Sequence, residues 1–348
     1  MERFDLNKLV RENVRVLRPY SSARDEFVSK GETMIFLDAN ENPFDNGVNR
    51  YPDPHQRSLK AVLAEQKGVN GSQVLFGNGS DEVLDLLFRA FCEPNRDNII
   101  SLPPTYGMYK VLAGTNAIEN REVLLNEDFQ PDIEAIFARI DSNTKLLFLC
   151  SPNNPTGNLI DDKKIEKLLG SFNGLVIIDE AYIDFSGSES WIEKLHDYPN
   201  LVVTQTLSKA YGMAAIRLGI CYASEEIITI LKKIKPPYNV NELTQKEALK
   251  GIMDRLGVQE QVDAIIAQRK KLSEALVDIP FISKVYHSDA NFVLVKVDAA
   301  DERYQQVLNE GVVIRNRSTQ PLCTNTLRFT IGTELENDRL LEVLKALK

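Results

Sequence analysis

The stretch LVVTQTLSKAYGMAAIRLGICYA, residues 201–223, places one apolar run of strand length before Ser208 and Lys209 and a second, LGICYA, directly after Arg217. Similar short runs precede it: VLF from residue 74, NIISL from 98, LLFLC from 146 and LVIID from 175. Helical periodicity fills the gaps between them. Strands that are apolar almost throughout, alternating with helices, predict an α/β fold with a mostly parallel central sheet covered on both faces. After Pro236 and Pro237 the pattern becomes a long helical stretch, roughly 241–277, then strands NFVLVKV and LRFTIG with a helix between them. This tail reads as a smaller α+β domain. The expected organisation is an N-terminal arm over 1–30, a large domain over 31–240 and a small C-terminal domain over 241–348. The arm is too polar in RPYSSARDE for a core element, and suits packing on the small domain or on another subunit.

Composition narrows the function. Lysine and arginine total 41 against 50 acids, a net charge of -9, so a nucleic acid would meet a repulsive average field. The N-terminus MERFDLNKLV lacks an apolar signal core, and LLFLC is far too short to span a membrane; a cytoplasmic protein with no membrane partner is expected. Cys92, Cys150, Cys221 and Cys323 form no CxxC pair, and His55, His196 and His287 lack ligand spacing, so neither disulfides nor a metal site is expected.

In an open α/β sheet, ligands gather at the carboxyl ends of the strands, and four ends are loaded here. VLFGNGSDEVLDLLFRAF, residues 74–91, runs from a strand through glycines into a helix whose first N–H groups, near residues 79–81, suit an anion. A helix capped by Ser80, Asp81 and Glu82 with no ligand reads equally well, and the two acids suit a phosphate only if their side chains turn away. LLFLCSPNNPTGN, residues 146–158, stiffens a polar loop with two prolines and holds the Asn154 amide at the strand edge. LVIIDEAYIDF, residues 175–185, ends a buried strand on Asp179, which needs a proton or cation, with Tyr182 three residues later. The fourth end carries Ser208 and Lys209, with Arg217 beside them. Pyridoxal phosphate accounts for all four: it takes a lysine amine, an acid at its pyridine nitrogen, donors to its phenolic oxygen and a phosphate cage.

SPNNPTG (151–157), DEAY (179–182), TLSKAYGMAAIRLG (206–219) and LRFTIGT (327–333) resemble the fold type I pyridoxal-phosphate aminotransferases. LDANENP (37–43), RYPDP (50–54) and GNGSDE (77–82) are closer still to the histidinol-phosphate aminotransferases. The resemblance implies that Lys209 anchors the cofactor covalently, that Asp179 faces the pyridine nitrogen, and that Tyr182 and Asn154 bond the phenolic oxygen. It implies stacking by Tyr106, and a phosphate held by Ser208, Arg217 and the backbone of Ser80 and Asp81. Tyr51 would reach that phosphate from the other subunit of a homodimer. Arg328, Arg315, Tyr20 and Asn40 would bind substrate. The implied reaction, of ping-pong type, turns L-histidinol phosphate and 2-oxoglutarate into imidazole-acetol phosphate and L-glutamate, a step of histidine biosynthesis. Decarboxylation of threonine phosphate and transamination of aromatic amino acids are the alternatives.

Overall fold

A strand that is apolar at every position needs cover on both faces, and the computed structural model, which describes residues 4–20 and 34–347, shows how it is supplied. One sheet contains β1 (Val74–Asn78), β2 (Asn98–Ser101), β3 (Glu119–Glu122), β4 (Thr144–Cys150), β5 (Leu175–Asp179), β6 (Leu201–Thr206) and β7 (Leu218–Ala223), in the order β1-β7-β6-β5-β4-β2-β3. Strands β2 to β6 are parallel. β7 is antiparallel to both its neighbours, which returns β1 to the direction of β6. A second, antiparallel sheet contains β8 (Ile282–Val285), β9 (Phe292–Val297), β10 (Arg315–Asn316) and β11 (Thr326–Thr330), in the order β10-β11-β9-β8.

The helices among the described residues are α1 (Leu6–Leu9), α2 (Glu12–Val16), α3 (Arg57–Lys67), α4 (Ser80–Phe91), α5 (Met108–Thr115), α6 (Ile133–Arg139), α7 (Asp162–Ser171), α8 (Glu225–Ile234), α9 (Glu242–Met253), α10 (Arg255–Leu276), α11 (Ala300–Asn309) and α12 (Glu334–Ala346). None is long and apolar enough to cross a membrane. Alternation along the strands divides their side chains between two cores. Leu147, Leu149, Val176, Ile178 and Val203 point to the face covered by α3, α6, α7 and α9. Leu146, Phe148, Leu175, Ile177 and Val202 point to the face covered by α4, α5 and α8. Both sets are fully buried, and each such side chain contributes about 1.5–3 kcal/mol. The small sheet has its own core against α10, α11 and α12.

Contacts between the two sheets' loops lie beside the site. Tyr182, Phe185 and Ala210 of the large sheet's loops pack with Phe292, Ala290 and Val262. Arg269 of α10 donates to the carbonyls of Ala290 at 2.7 Å and Phe185 at 3.1 Å. Gly157 sits at φ +86°, and a side chain there would come within 2.5 Å of Ser288 Oγ, so this approach requires glycine.

Four features depart from the sequence reading. The helical stretch after Pro237 is two helices, broken at Asp254, whose carboxylate accepts from Gly257 N–H at 3.2 Å and starts α10. β3, with the sequence ENRE, is a polar edge strand with no apolar signal. β8 and the two-residue β10 were too short or too exposed to read. The arm's described part packs on the large sheet and not on the small domain: Leu9, Val10 and Val14 are buried in the large sheet's core, Arg11 N–H donates to Ala90 O at 3.0 Å, and Lys233 of α8 donates to Arg15 O at 2.8 Å, while most of RPYSSARDE lies outside the described residues.

Glu180, fully buried after β5, ties the segment that follows to β6: it accepts from Ser190 Oγ, from Trp191 N–H at 2.7 Å and from Gln205 Nε2 at 2.8 Å. Burial outweighs these donors and pushes its carboxyl up to about 7 from 4.5. The folded chain therefore binds the extra proton between these values, so this group's stability contribution is lost as pH rises from about 4.5 through about 7. Glu180→Gln should remove that slope. Urea unfolding at pH 5 and pH 8 should show the wild type losing up to about 3 kcal/mol relative to the variant; equal losses in both would contradict the assignment.

Candidate active site

Strand direction brings the chemistry to one edge. The carboxyl ends of β1, β4, β5 and β6 and the start of β7 all lie there, because β1 runs with the parallel strands and β7 runs against them. That edge carries Ser80, Asp81, Asn154, Asp179, Tyr182, Ser208, Lys209 and Arg217, together with Tyr106 from the segment after β2.

Asp179 closes β5 and is fully buried. Its Oδ2 accepts from Tyr109 Oη at 2.7 Å, and its Oδ1 accepts from Ala181 N–H at 3.3 Å. Burial raises its carboxyl above the usual range, with those donors pulling the other way. Among the described residues it forms no ion pair, so its charge awaits a cation. Tyr109 stacks on Phe148 at 4.8 Å and is completely enclosed.

The anion end is built around α4. Gly79, at φ +81°, precedes it with no side chain capping the first turn, which leaves the N–H groups of Ser80 and its neighbours facing the edge. Arg217, at φ +56°, lies across this end: a side chain on Gly79 would come within 2.7 Å of its Nη2. A side chain on Gly219 would come within 2.2 Å of the Ser80 nitrogen, so β7 and the helix start pack backbone to backbone. Ser208 stands opposite, its Oγ accepting from Thr206 Oγ1 at 3.0 Å. Of the two acids, Glu82 turns away, accepting from Asn78 N–H and from Asn239 Nδ2 at 2.8 Å. Asp81 does not. Its Oδ2 is 3.9 Å from Arg217 Nη2, and its Oδ1 accepts from Tyr106 Oη at 3.0 Å, which orients both partners.

Lys209 lies between these groups, half-buried, with Nζ 5.7 Å from the centre of the Tyr182 ring. Desolvation lowers its ammonium below the ordinary lysine range, Arg328 and Arg217 add to this, and Asp179 opposes it. Beyond it, Asn154 Nδ2 is 3.5 Å from Tyr182 Oη, and Arg328 Nη1 donates to Asn154 Oδ1. The Arg328 guanidinium lies 4.9 Å above the Phe292 ring. Burial, then Arg317, lowers it to about 10. Arg315 is directly opposite Arg328 across the β10–β11 pair.

Three expected residues lie elsewhere in the chain. Tyr20 is exposed at the end of the described arm. Tyr51 stacks on Tyr238 at 4.5 Å, and with Asn40 it lines a surface cavity of about 460 Å³ that also includes Val48 and Leu243. Sequence reasoning missed Tyr109, whose position three residues after Tyr106 on α5 was the available signal, and Arg317, two residues after Arg315 in an extended segment.

The residues at the edge fit pyridoxal phosphate. A buried acid without a cation suits a protonated pyridine nitrogen, the uncapped helix start with Arg217 and Ser208 suits a phosphate, and Lys209 stands between them. Among the described residues no cluster of His, Cys, Asp or Glu is arranged to hold a metal ion.

The signature of the family described as aminotransferase class I and II matches residues 37–344. The chain is 63% identical over 348 residues to a histidinol-phosphate aminotransferase of Flavobacterium johnsoniae, covering 100% of both chains, and 62% identical to that of Christiangramia forsetii, covering 100% of this chain and 99% of the other. Among solved structures it resembles the histidinol-phosphate aminotransferase of Clostridium acetobutylicum, with a TM-score of 0.79 and 28% identity over 86% of this chain and 90% of that one. Fold, edge chemistry and full-length similarity agree, and the chain belongs to the class I and II aminotransferase family.

Proposed function

We propose that this aminotransferase interconverts L-histidinol phosphate plus 2-oxoglutarate with imidazole-acetol phosphate plus L-glutamate, as a step of histidine biosynthesis in the cytoplasm. One observation carries the reading: a lysine and an uncompensated buried acid share an edge with Asn154, which accepts from Arg328, one of three small-sheet arginines (Arg315, Arg317 and Arg328) that have no carboxylate partner among the described residues. The near-identity in length to relatives named for this activity supports it.

Pyridoxal phosphate, when bound, supplies an electron sink for the carbanion left when the substrate α-carbon loses its proton. Asp179, fixed by Tyr109, would keep a proton on the pyridine nitrogen. Tyr182 and Asn154 would hold the phenolic oxygen, Tyr106 would pack on the ring, and Arg217, Ser208 and the N–H groups of Ser80 and Asp81 would hold the phosphate. Lys209 Nζ would take the proton from the α-carbon of the amine donor and, in the reverse half-reaction, return one to the α-carbon formed from the keto acid. Arg328 and Arg315 hold the substrate's anion by two-point contacts. Desolvation beside Arg328 favours the neutral amine that Lys209 needs.

The proposed assignment of units is a cofactor-binding domain over 31–240, a domain over 241–348 that supplies the arginines, and an arm over 1–30 that brings Tyr20. The enzyme acts as a homodimer in which Tyr51, and Asn40 beside it, reach the partner's site. Ile35, Leu37, Phe44, Val48, Tyr51 and Leu243 are exposed apolar groups, and a second copy would cover them. A monomer-sized species in sedimentation at micromolar concentration would count against this.

Two variants test the chemistry. Lys209→Ala should stay folded by circular dichroism and lose at least about 10³-fold in kcat; substantial remaining transamination refutes the role. Tyr109→Phe leaves Asp179 Oδ2 without its donor, so the holoenzyme should lose about 1–3 kcal/mol in denaturant unfolding. Its kcat should fall with KM little changed. An unchanged kcat would show that Tyr109 does not position the acid. With wild-type enzyme, release of carbon dioxide from threonine phosphate, or faster turnover of phenylalanine than of histidinol phosphate, overturns the substrate.

A further inference from the structure

Arg315, Arg317 and Arg328 occupy one face of the small sheet. Arg315 opposes Arg328, and Asn316 opposes Leu327. Arg317 N–H then donates to Thr326 O at 2.9 Å, continuing the register. Side chains alternate along an extended strand, so residues 315 and 317 share a face with residues 326 and 328, and Arg317 is the diagonal neighbour of Arg328. Like charges so placed repel, and no carboxylate among the described residues pairs with Arg317 or Arg328.

Their polar atoms are also unmet. Arg317 Nε, Arg328 Nε, Ser318 Oγ and Gln320 Oε1 are all buried without a hydrogen-bond partner. Four such atoms gathered in one turn and its partner strand call for a polar partner, and three of them, the two Nε and Ser318 Oγ, are donors. Burial and Arg315 lower the Arg317 guanidinium, and Arg317 in turn lowers Arg328. Arg328 reaches the lysine's surroundings through Asn154 and Tyr182, whereas Arg317 follows Arg315 on the neighbouring extended segment, one register step along from Arg328.

Histidinol phosphate carries no carboxylate on its α-carbon. Its phosphate is attached through a methylene and an ester oxygen, so its charged oxygens reach farther from the α-carbon than those of the α-carboxylate of glutamate. We propose that Arg317 is a specificity-determining residue that, with Ser318 Oγ, binds the phosphate monoester of the amine donor beyond Arg328 and selects a dianion over a carboxylate. The proposal rests on the functional reading above and deepens it. A phosphate monoester carries nearly two negative charges at neutral pH and three acceptor oxygens, which matches a site with three cations and unpartnered donors. A carboxylate offers one charge and two oxygens.

The experiment compares holoenzyme of wild type, Arg317→Gln and Arg317→Lys with L-histidinol phosphate, L-histidinol and L-glutamate as amine donors. In Arg317→Gln the ratio of kcat/KM for histidinol phosphate over histidinol should fall roughly 10- to 100-fold, the value of one charge-assisted contact. Arg317→Lys should fall less. Inhibition of the glutamate half-reaction by inorganic phosphate should weaken in parallel. Without substrate, Arg317→Gln should melt at or above the wild-type temperature, because it relieves repulsion. An unchanged ratio together with unchanged phosphate inhibition overturns the proposal, as does a lowered melting temperature with equal losses on histidinol and its phosphate. If wild-type enzyme ignores histidinol phosphate, the functional reading fails, and phosphate inhibition of the glutamate reaction still decides the role of Arg317.

Discussion

A carboxylate at the end of an apolar strand is stable only with a proton or a cation against it. Asp179 has a neutral phenol and a backbone N–H instead. The rest of the edge is arranged around that debt. β4 and β6 flank β5, so the loops carrying Asn154 and Lys209 start on either side of the acid. Tyr109 reaches it from α5 across the sheet's covered face. A cationic ring nitrogen in this place would restore neutrality to the interior while leaving the ring's other end near Arg217 and the start of α4.

Charge is graded along the same line. The helix start and Arg217 make one end positive, and Asp81 holds Arg217 and Tyr106 in position without cancelling the backbone donors. The far end is positive again, with Arg328 steadied by Asn154 and the face of Phe292. Lys209 lies between two positive regions in a half-buried place, and both effects favour its uncharged amine. Asp179 opposes them, so the lysine's basicity is set by the balance between burial and the arginines on one side and the acid on the other.

The parts of the fold that were legible are those where one rule dominates. β4, β5 and β6 are buried on both faces, so each carries an unbroken apolar run, LLFLC, LVII and LVV, and the polar residues that follow each run mark the edge. β3 was hidden because a strand paired on one side only can be as polar as ENRE. The break at Asp254 was hidden because an N-cap aspartate inside a helical pattern resembles an exposed helical residue until its carboxylate is seen to accept from Gly257. Tyr109 carries no signal of its own in the sequence, since its ring is an ordinary core aromatic; only the hydroxyl's place 2.7 Å from Asp179 sets it apart. Tyr51 and Asn40 line a surface cavity of their own within one chain, and only the resemblance to a family, not the residues themselves, assigned Tyr51 to a site across a dimer.

The arginine cluster bears on catalysis as well as on recognition. Energy from holding a remote anion accelerates the reaction only if it fixes the α-carbon proton against Lys209, since binding that leaves the substrate free to rotate lowers KM alone. Arg328 is joined through Asn154 to Tyr182, and Tyr182 lies beneath Lys209. An anion drawn toward Arg328 would therefore be tied by a chain of contacts to the Lys209 amine, the proposed proton acceptor. Under the proposed roles, two negative charges would relieve the repulsion among the three guanidiniums more than one would, so the donor that fills the charge deficit would also be the one held most rigidly for proton transfer.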